Sequence, residues 1–223
     1  IESVAYLYTK GAPEAVAVAM TRKGPLWTGT LSPGADVRGV ILKFQSEGLV
    51  DSNDKKGYTL SMFDGDGDPV PGSLAGLAEA YATWGKDLAG MNTDQDLALA
   101  LLDKEFALHP EVKKDYLSPY FSLLARLKKE EGRTQILTEL EAVAARPDLG
   151  AEELSLLYYW MGRLNKSEEA ARFGALLRRM EPKGDFVQAE RFQEFLGATD
   201  AARKSEIFAR FRADFPGSPL IPQ

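Results

Sequence analysis

The residues most able to do chemistry are the carboxylates of Asp64-Gly65-Asp66-Gly67-Asp68. Alternate carboxylates on a glycine-rich turn can converge on a calcium ion, so Asp64, Asp66 and Asp68 form a candidate metal site. A twelve-residue calcium loop also needs glycine at its sixth position and a bidentate glutamate at its twelfth. Here those positions hold Pro69 and Ala75. The competing reading is a Gly/Asp turn that closes a strand and leads through Pro71-Gly72 into a helix. His109 is the only histidine and there is no cysteine, so zinc sites and thiolate chemistry have no ligand set. Its position before Pro110 places it at a helix end or turn. The adjacent pairs Glu130-Glu131, Glu152-Glu153 and Glu168-Glu169 point about 100° apart on a helix and do not converge as a glycosidase pair would. No phosphate-binding or dinucleotide-binding glycine motif follows a strand. The expectation is a chain with no catalytic residues and no cofactor.

A second group suits binding rather than catalysis. Trp27 lies in a short strand, and Asp51-Ser52-Asn53-Asp54-Lys55-Lys56-Gly57 runs into Tyr58. A strand-borne tryptophan, an Asp/Asn-rich loop and Gly-Tyr resemble sandwich-type starch-binding modules. In those, an aromatic ring stacks on a sugar while loop amides and carboxylates take its hydroxyls. Two adjacent asparagines are usual there, and this chain has Ser52-Asn53. The resemblance makes Trp27, Asp51, Asn53 and Tyr58 candidate ligand residues and a glycan a candidate partner. A core tryptophan beside a hairpin turn is the other reading of the same residues.

Elements that would position these groups follow from periodicity. Five short runs, 4–8, 15–20, 26–30, 39–44 and 58–63, are rich in β-branched and aromatic residues, and most are bounded by Gly, Pro, Asn or Asp. After Asp68 the apolar period changes from two to about 3.6, as in Leu74, Leu77, Tyr81 and Trp84. About eight helices with short links are expected, including one stripe of Phe186, Ala189, Gln193 and Leu196. The fold class is therefore α+β: a small all-β, sandwich-like domain over residues 1–70, then an α-helical hairpin array over residues 71–223. The stretch 154–182 resembles a tetratricopeptide unit, with aromatics before Met161-Gly162, a turn at Asn165-Lys166, then Ala170, Ala171 and Pro182.

Composition bounds the partners. The net charge of −6 and pI near 5.0 exclude a nucleic-acid binder, which needs a basic stripe. Residues 64–108 carry two Lys/Arg against nine Asp/Glu, so the acidity sits in one segment. No apolar run approaches the ~20 residues of a membrane span. Ile1 reads as a cut end, and Pro216-Gly217-Ser218-Pro219-Leu220-Ile221-Pro222-Gln223 as a linker, so the chain is expected to be part of something longer.

Three stretches carry a further likeness: Tyr58–Phe63 followed by 64–78; Arg179-Met180-Glu181-Pro182-Lys183-Gly184; and Phe211-Arg212-Ala213-Asp214-Phe215-Pro216-Gly217-Ser218. Their order resembles the long N-terminal region of exported bacterial thioredoxin-like proteins of the TlpA/ResA type. The resemblance implies a non-catalytic accessory module, periplasmic or otherwise exported. It would present its helical array to a protein partner or to its own thioredoxin-like domain. The redox cysteine pair would then lie beyond Gln223, and the full-length protein would be a thiol-disulfide oxidoreductase.

Overall fold

The structure is a computed structural model and describes residues 1–221; Pro222 and Gln223, the end of the expected linker, lie outside the described residues. The chain divides into two compact units, Ile1–Gly132 and a second that begins at Arg133. All the described strands precede residue 62 and the helices start at Ser73, giving the α+β class the periodicity implied.

The first unit holds β1 (Glu2–Tyr8), β2 (Glu14–Val18), β3 (Thr21–Lys23), β4 (Leu26–Thr28), β5 (Gly39–Ser46), β6 (Leu49–Asp51) and β7 (Tyr58–Ser61). Five of them make one antiparallel sheet in the order β2-β1-β5-β6, with β7 pairing the other end of β5; β3 and β4 form a separate hairpin. β1 is central, so consecutive residues are buried on both faces, as expected where a strand is covered on each side. Tyr6 and Tyr8 join Ile41, Leu77, Ala80 and Met91 on the helix-covered face. Ala5 and Leu7 join Val37 and Val40 on the other.

The helix-covered face is closed by one continuous helical run. α1 (Ser73–Glu79) passes through a π-helical turn, Ala80–Trp84, into α2 (Gly85–Ala89), which Gly90 ends at φ 71°. At the π turn the Gly85 N–H reaches the Ala80 carbonyl, and a Cβ at Gly85 would stand 2.6 Å from that oxygen. Glycine is what lets the wider turn close. α3 (Gln95–Leu108) is capped by Asp94, whose carboxylate accepts from Leu97 N–H at 2.9 Å. A 3₁₀ stretch, Pro110–Tyr116, leads to α4 (Leu117–Leu127), followed by α5 (Lys129–Ala144).

The second unit contains α6 (Ala151–Arg163), α7 (Ser167–Met180), α8 (Asp185–Gly197) and α9 (Ala201–Asp214). α6 and α7 form the hairpin expected over 154–182, turning at Asn165, which takes φ 61°. Leu154, Leu157 and Met161 are buried on α6, and Ala170, Phe173 and Leu177 on α7. A bidentate pair, Arg178 to Glu190 at 2.8 Å twice, ties α7 to α8. The stripe expected on α8 is rotated: Ala189, Gln193 and Leu196 are exposed. Phe192 and Phe195 face α9 instead, 5.8 Å from Phe211 and 5.3 Å from Phe208. Two phenyl rings bury more apolar area than an Ala/Gln/Leu face, and the helix turns to bury them.

Tyr8 fixes the spacing between sheet and helix. Its ring lies over Gly39 of β5 and Gly76 of α1, and a Cβ on either glycine would overlap the ring. Gly76→Ala and Gly39→Ala are each expected to cost about 1–3 kcal/mol, the usual penalty of overpacking. Urea unfolding monitored by circular dichroism would read this as a lower midpoint with an unchanged slope.

Candidate functional site

Of the expected ligand residues, Trp27 and Asp51 are brought to one cleft, of about 370 Å³, in the first unit. Trp27 projects from β4, opposite Arg22 of β3, and is 38% exposed rather than part of the core. Just beyond β4, a Cβ at Gly29 would meet Met20 Sδ at 2.7 Å and Val18 Cγ1 at 2.9 Å, so glycine leaves room there for Met20. Facing them, the β5–β6 hairpin contributes Phe44, Gln45, Glu47 and Asp51. Its two turn residues, Glu47 and Gly48, have φ 52° and 81°, the left-handed pair of a tight antiparallel turn.

Tyr58 and Asn53 are not in the cleft wall; they hold Asp51. The Tyr58 hydroxyl donates to Asp51, 3.1 Å from Oδ1 and 3.0 Å from Oδ2, and Asn53 N–H donates to Oδ1 at 3.0 Å. The Asp51 bond raises the Tyr58 phenol above its ordinary pKa. The Tyr58 ring in turn stands edge-on to Phe44 at 5.3 Å. Asn53, Asp54 and Lys55 all take positive φ (57°, 52° and 64°), an uncommon run of non-glycine residues, and the Asn53 side chain closes it by donating to Gly57 O at 3.1 Å. The strained loop therefore fixes one carboxylate at the mouth of a cleft. The β5–β6 turn that supplies Gln45 and Glu47 escaped sequence reasoning. Its signal was Glu47-Gly48 between two strand-like runs.

The calcium candidate is arranged differently. Asp64 Oδ1 accepts from Asp66 N–H at 2.9 Å and Asp68 N–H at 3.0 Å, and Asp64 N–H closes the turn onto Asp68 O at 2.9 Å. The Asp64 carboxylate is thus committed to its own backbone. The Asp68 and Asp66 amides hold its pKa below the usual carboxylate value. Among the described residues no three His, Asp or Glu side chains gather closely enough to hold a metal ion. His109 lies beside this turn with Nε2 2.8 Å from Pro69 O.

The largest buried polar feature was not singled out in the sequence. Glu105 of α3 is fully buried, and its carboxylate accepts from Gly72 N–H (2.8 Å), Leu74 N–H (2.8 Å) and Ala75 N–H (3.1 Å). These are the open donors at the start of α1, where Gly72 sits in the left-handed region and offers no side-chain cap. Nearby, Tyr8 donates to Ser73 O at 3.2 Å, and burial pushes its phenol up to about 12. Burial, with Glu79 and Glu105 nearby, does the same to Tyr116.

In the second unit, Pro147, Leu149, Leu154, Leu176, Arg179 and Met180 line an open groove of about 510 Å³ on the α6–α7 hairpin. Among the described residues no helix is long and apolar enough to cross a membrane. No family model, curated protein or solved structure matches this chain.

Two expectations follow. Glu105→Gln places an amide donor against buried N–H groups and is expected to cost about 2–4 kcal/mol, measured by chemical unfolding. For Asp64 the folded pKa is the lower one, so its contribution is complete above the ordinary carboxylate value near ~4 and is lost as pH falls through the folded value. Asp64→Ala is therefore expected to lower Tm at pH 7, with the difference from the unsubstituted chain shrinking as the pH is taken into that acid range.

Proposed function

We propose that this chain is a non-catalytic interaction module of an exported, TlpA/ResA-type thioredoxin-like protein, with the redox domain encoded beyond Gln223. The observation that carries this reading is the α6–α7 groove. It leaves Leu176 and Met180 exposed beside Pro147 and Leu149, on a hairpin whose other face is packed. Exposed apolar residues lined up along a helical hairpin suit a protein partner, as stacked hairpins commonly do. The partner would be another protein or the module's own thioredoxin-like domain. The three motif stretches support the same reading by their placement: they form β7 and the start of α1, the α7–α8 turn, and the end of α9, where Phe215 and Ser218 are buried.

A second reading, a glycan-binding module, is favoured by one observation: Trp27 is exposed at a cleft that also holds Asp51.

The first reading is tested by the complete reading frame and its product. A signal segment upstream and a C-x-x-C motif downstream are expected. The full-length protein should reduce insulin disulfides, and this cysteine-free chain should not. A frame without the cysteine pair would contradict the proposal. In the full-length protein, Met180→Asp is expected to weaken partner or interdomain docking at least tenfold by calorimetry or cross-linking yield.

A further inference from the structure

We propose that the cleft between the β3–β4 and β5–β6 hairpins takes a small organic cation. The ligand is an amine on an apolar body, its ammonium group against Asp51 and Glu47 and its body against Trp27 and Phe44. This occupant is distinct from a glycan.

The lining of the cleft is mostly apolar. Ile1, Met20, Trp27, Phe44, Leu49 and Val50 make up six of its ten residues. Ile1, Trp27, Leu49 and Val50 are exposed, so the cleft gathers apolar side chains that the fold leaves in water. Its volume of about 370 Å³ falls within the roughly 300–1,000 Å³ of small-molecule pockets. An apolar body of small-molecule size is what such walls select.

Charge selects the head group. Glu47 and Asp51 are the charged side chains of the lining, and no Lys or Arg accompanies them. Among the described residues neither carboxylate makes an ion pair, and the α-ammonium of Ile1 pairs with neither. Asp51 accepts from the Tyr58 hydroxyl and the Asn53 amide, neutral donors that aim it and leave its charge uncompensated. A neutral apolar ligand would cover these charges without a partner, and an anion would be repelled. A cation compensates them. The faces of Trp27 and Phe44 attract the same sign of charge, because the face of an aromatic ring is negative.

The sheet beneath carries a further mark of a ligand site. Strand register aligns Val18, Ser3, Phe44 and Asp51 in one row across β2, β1, β5 and β6, on one face of the sheet. Ser3 is 4% exposed, and its hydroxyl makes no hydrogen bond among the described residues. A buried polar atom left unpaired beside Phe44 is unusual in a finished core and fits a floor that a ligand completes.

The test uses the chain as it stands, with phenethylamine, 2-phenylethanol and 3-phenylpropionate, which join one ring to a positive, neutral or negative head. Each is titrated by calorimetry and by the NMR signal of the Trp27 indole N–H. Phenethylamine is expected to bind and shift that signal, with a Kd at least tenfold below that of 2-phenylethanol, and 3-phenylpropionate not to bind. Trp27→Ala should raise the phenethylamine Kd at least tenfold. Glu47→Gln should raise it several-fold with Tm unchanged, and it carries the test if Trp27→Ala misfolds. Equal affinity for amine and alcohol, amine binding untouched by Glu47→Gln, or no amine binding overturns the proposal. A Trp27 signal that moves with maltoheptaose and not with the amine overturns it in favour of a glycan. Tighter binding of Nα-acetyl-lysine amide than of phenethylamine marks a basic side chain of a protein as the occupant and also overturns it.

Discussion

A helix that begins on a left-handed glycine has no cap of its own, and the first unit is organised around that deficit. α1 starts after Gly72, and its open amides are taken by Glu105, about thirty residues further along. Burying a carboxylate costs several kcal/mol unless its oxygens are satisfied. Here three amides donate to it, and the positive end of the helix dipole faces it. α3 can occupy only the position that brings Glu105 to the head of α1, because any other leaves a charge and three N–H groups buried without partners. α1 in turn must lie on the sheet face where Gly76 clears the Tyr8 ring. Cap, ring and two glycines thus lock sheet and helices at one spacing.

The cleft depends on that frame indirectly. β5 is the strand that joins the two regions: Gly39 at one end admits Tyr8, and Phe44 and Gln45 at the other floor the cleft. β7 does the same, because Tyr58 pairs with β5 and holds Asp51 by its hydroxyl. The one run of consecutive non-glycine residues in left-handed conformations among the described residues, Asn53–Lys55, lies in this loop rather than near Glu105. Strain is concentrated where a side chain must be aimed, and satisfied hydrogen bonds where the fold must be held.

Much of the architecture was legible in the order of residues. The change of period after Asp68 located the strand-to-helix switch, and the stripe of Leu74, Leu77, Tyr81 and Trp84 marked a face of which Leu77, Tyr81 and Trp84 pack on the sheet core. Most of what escaped detection depends on partners distant in sequence. Glu105 looks like any acidic helix residue, since its partners are backbone amides that carry no sequence signal. The π turn at Ala80–Trp84 preserves an apolar stripe and hides in it. On α8 the period was found but its phase was not, because Phe208 and Phe211 of α9 decide which face is covered. At the ligand candidates, Trp27 and Asp51 were visible by type, whereas Gln45 and Glu47 join them only once two hairpins meet. Asn53 and Tyr58 were recognised as a group with Asp51, but they act by orienting it.

Amide hydrogen exchange at Gly72, Leu74 and Ala75 tests most directly whether the buried Glu105 cap holds sheet and helices as one body. These three amides are expected to exchange at the rate of the sheet amides of β1 and β5, through unfolding of the whole unit. Exchange much faster than that of β1, with the sheet still protected, would mean that α1 detaches independently and would contradict the capping lock.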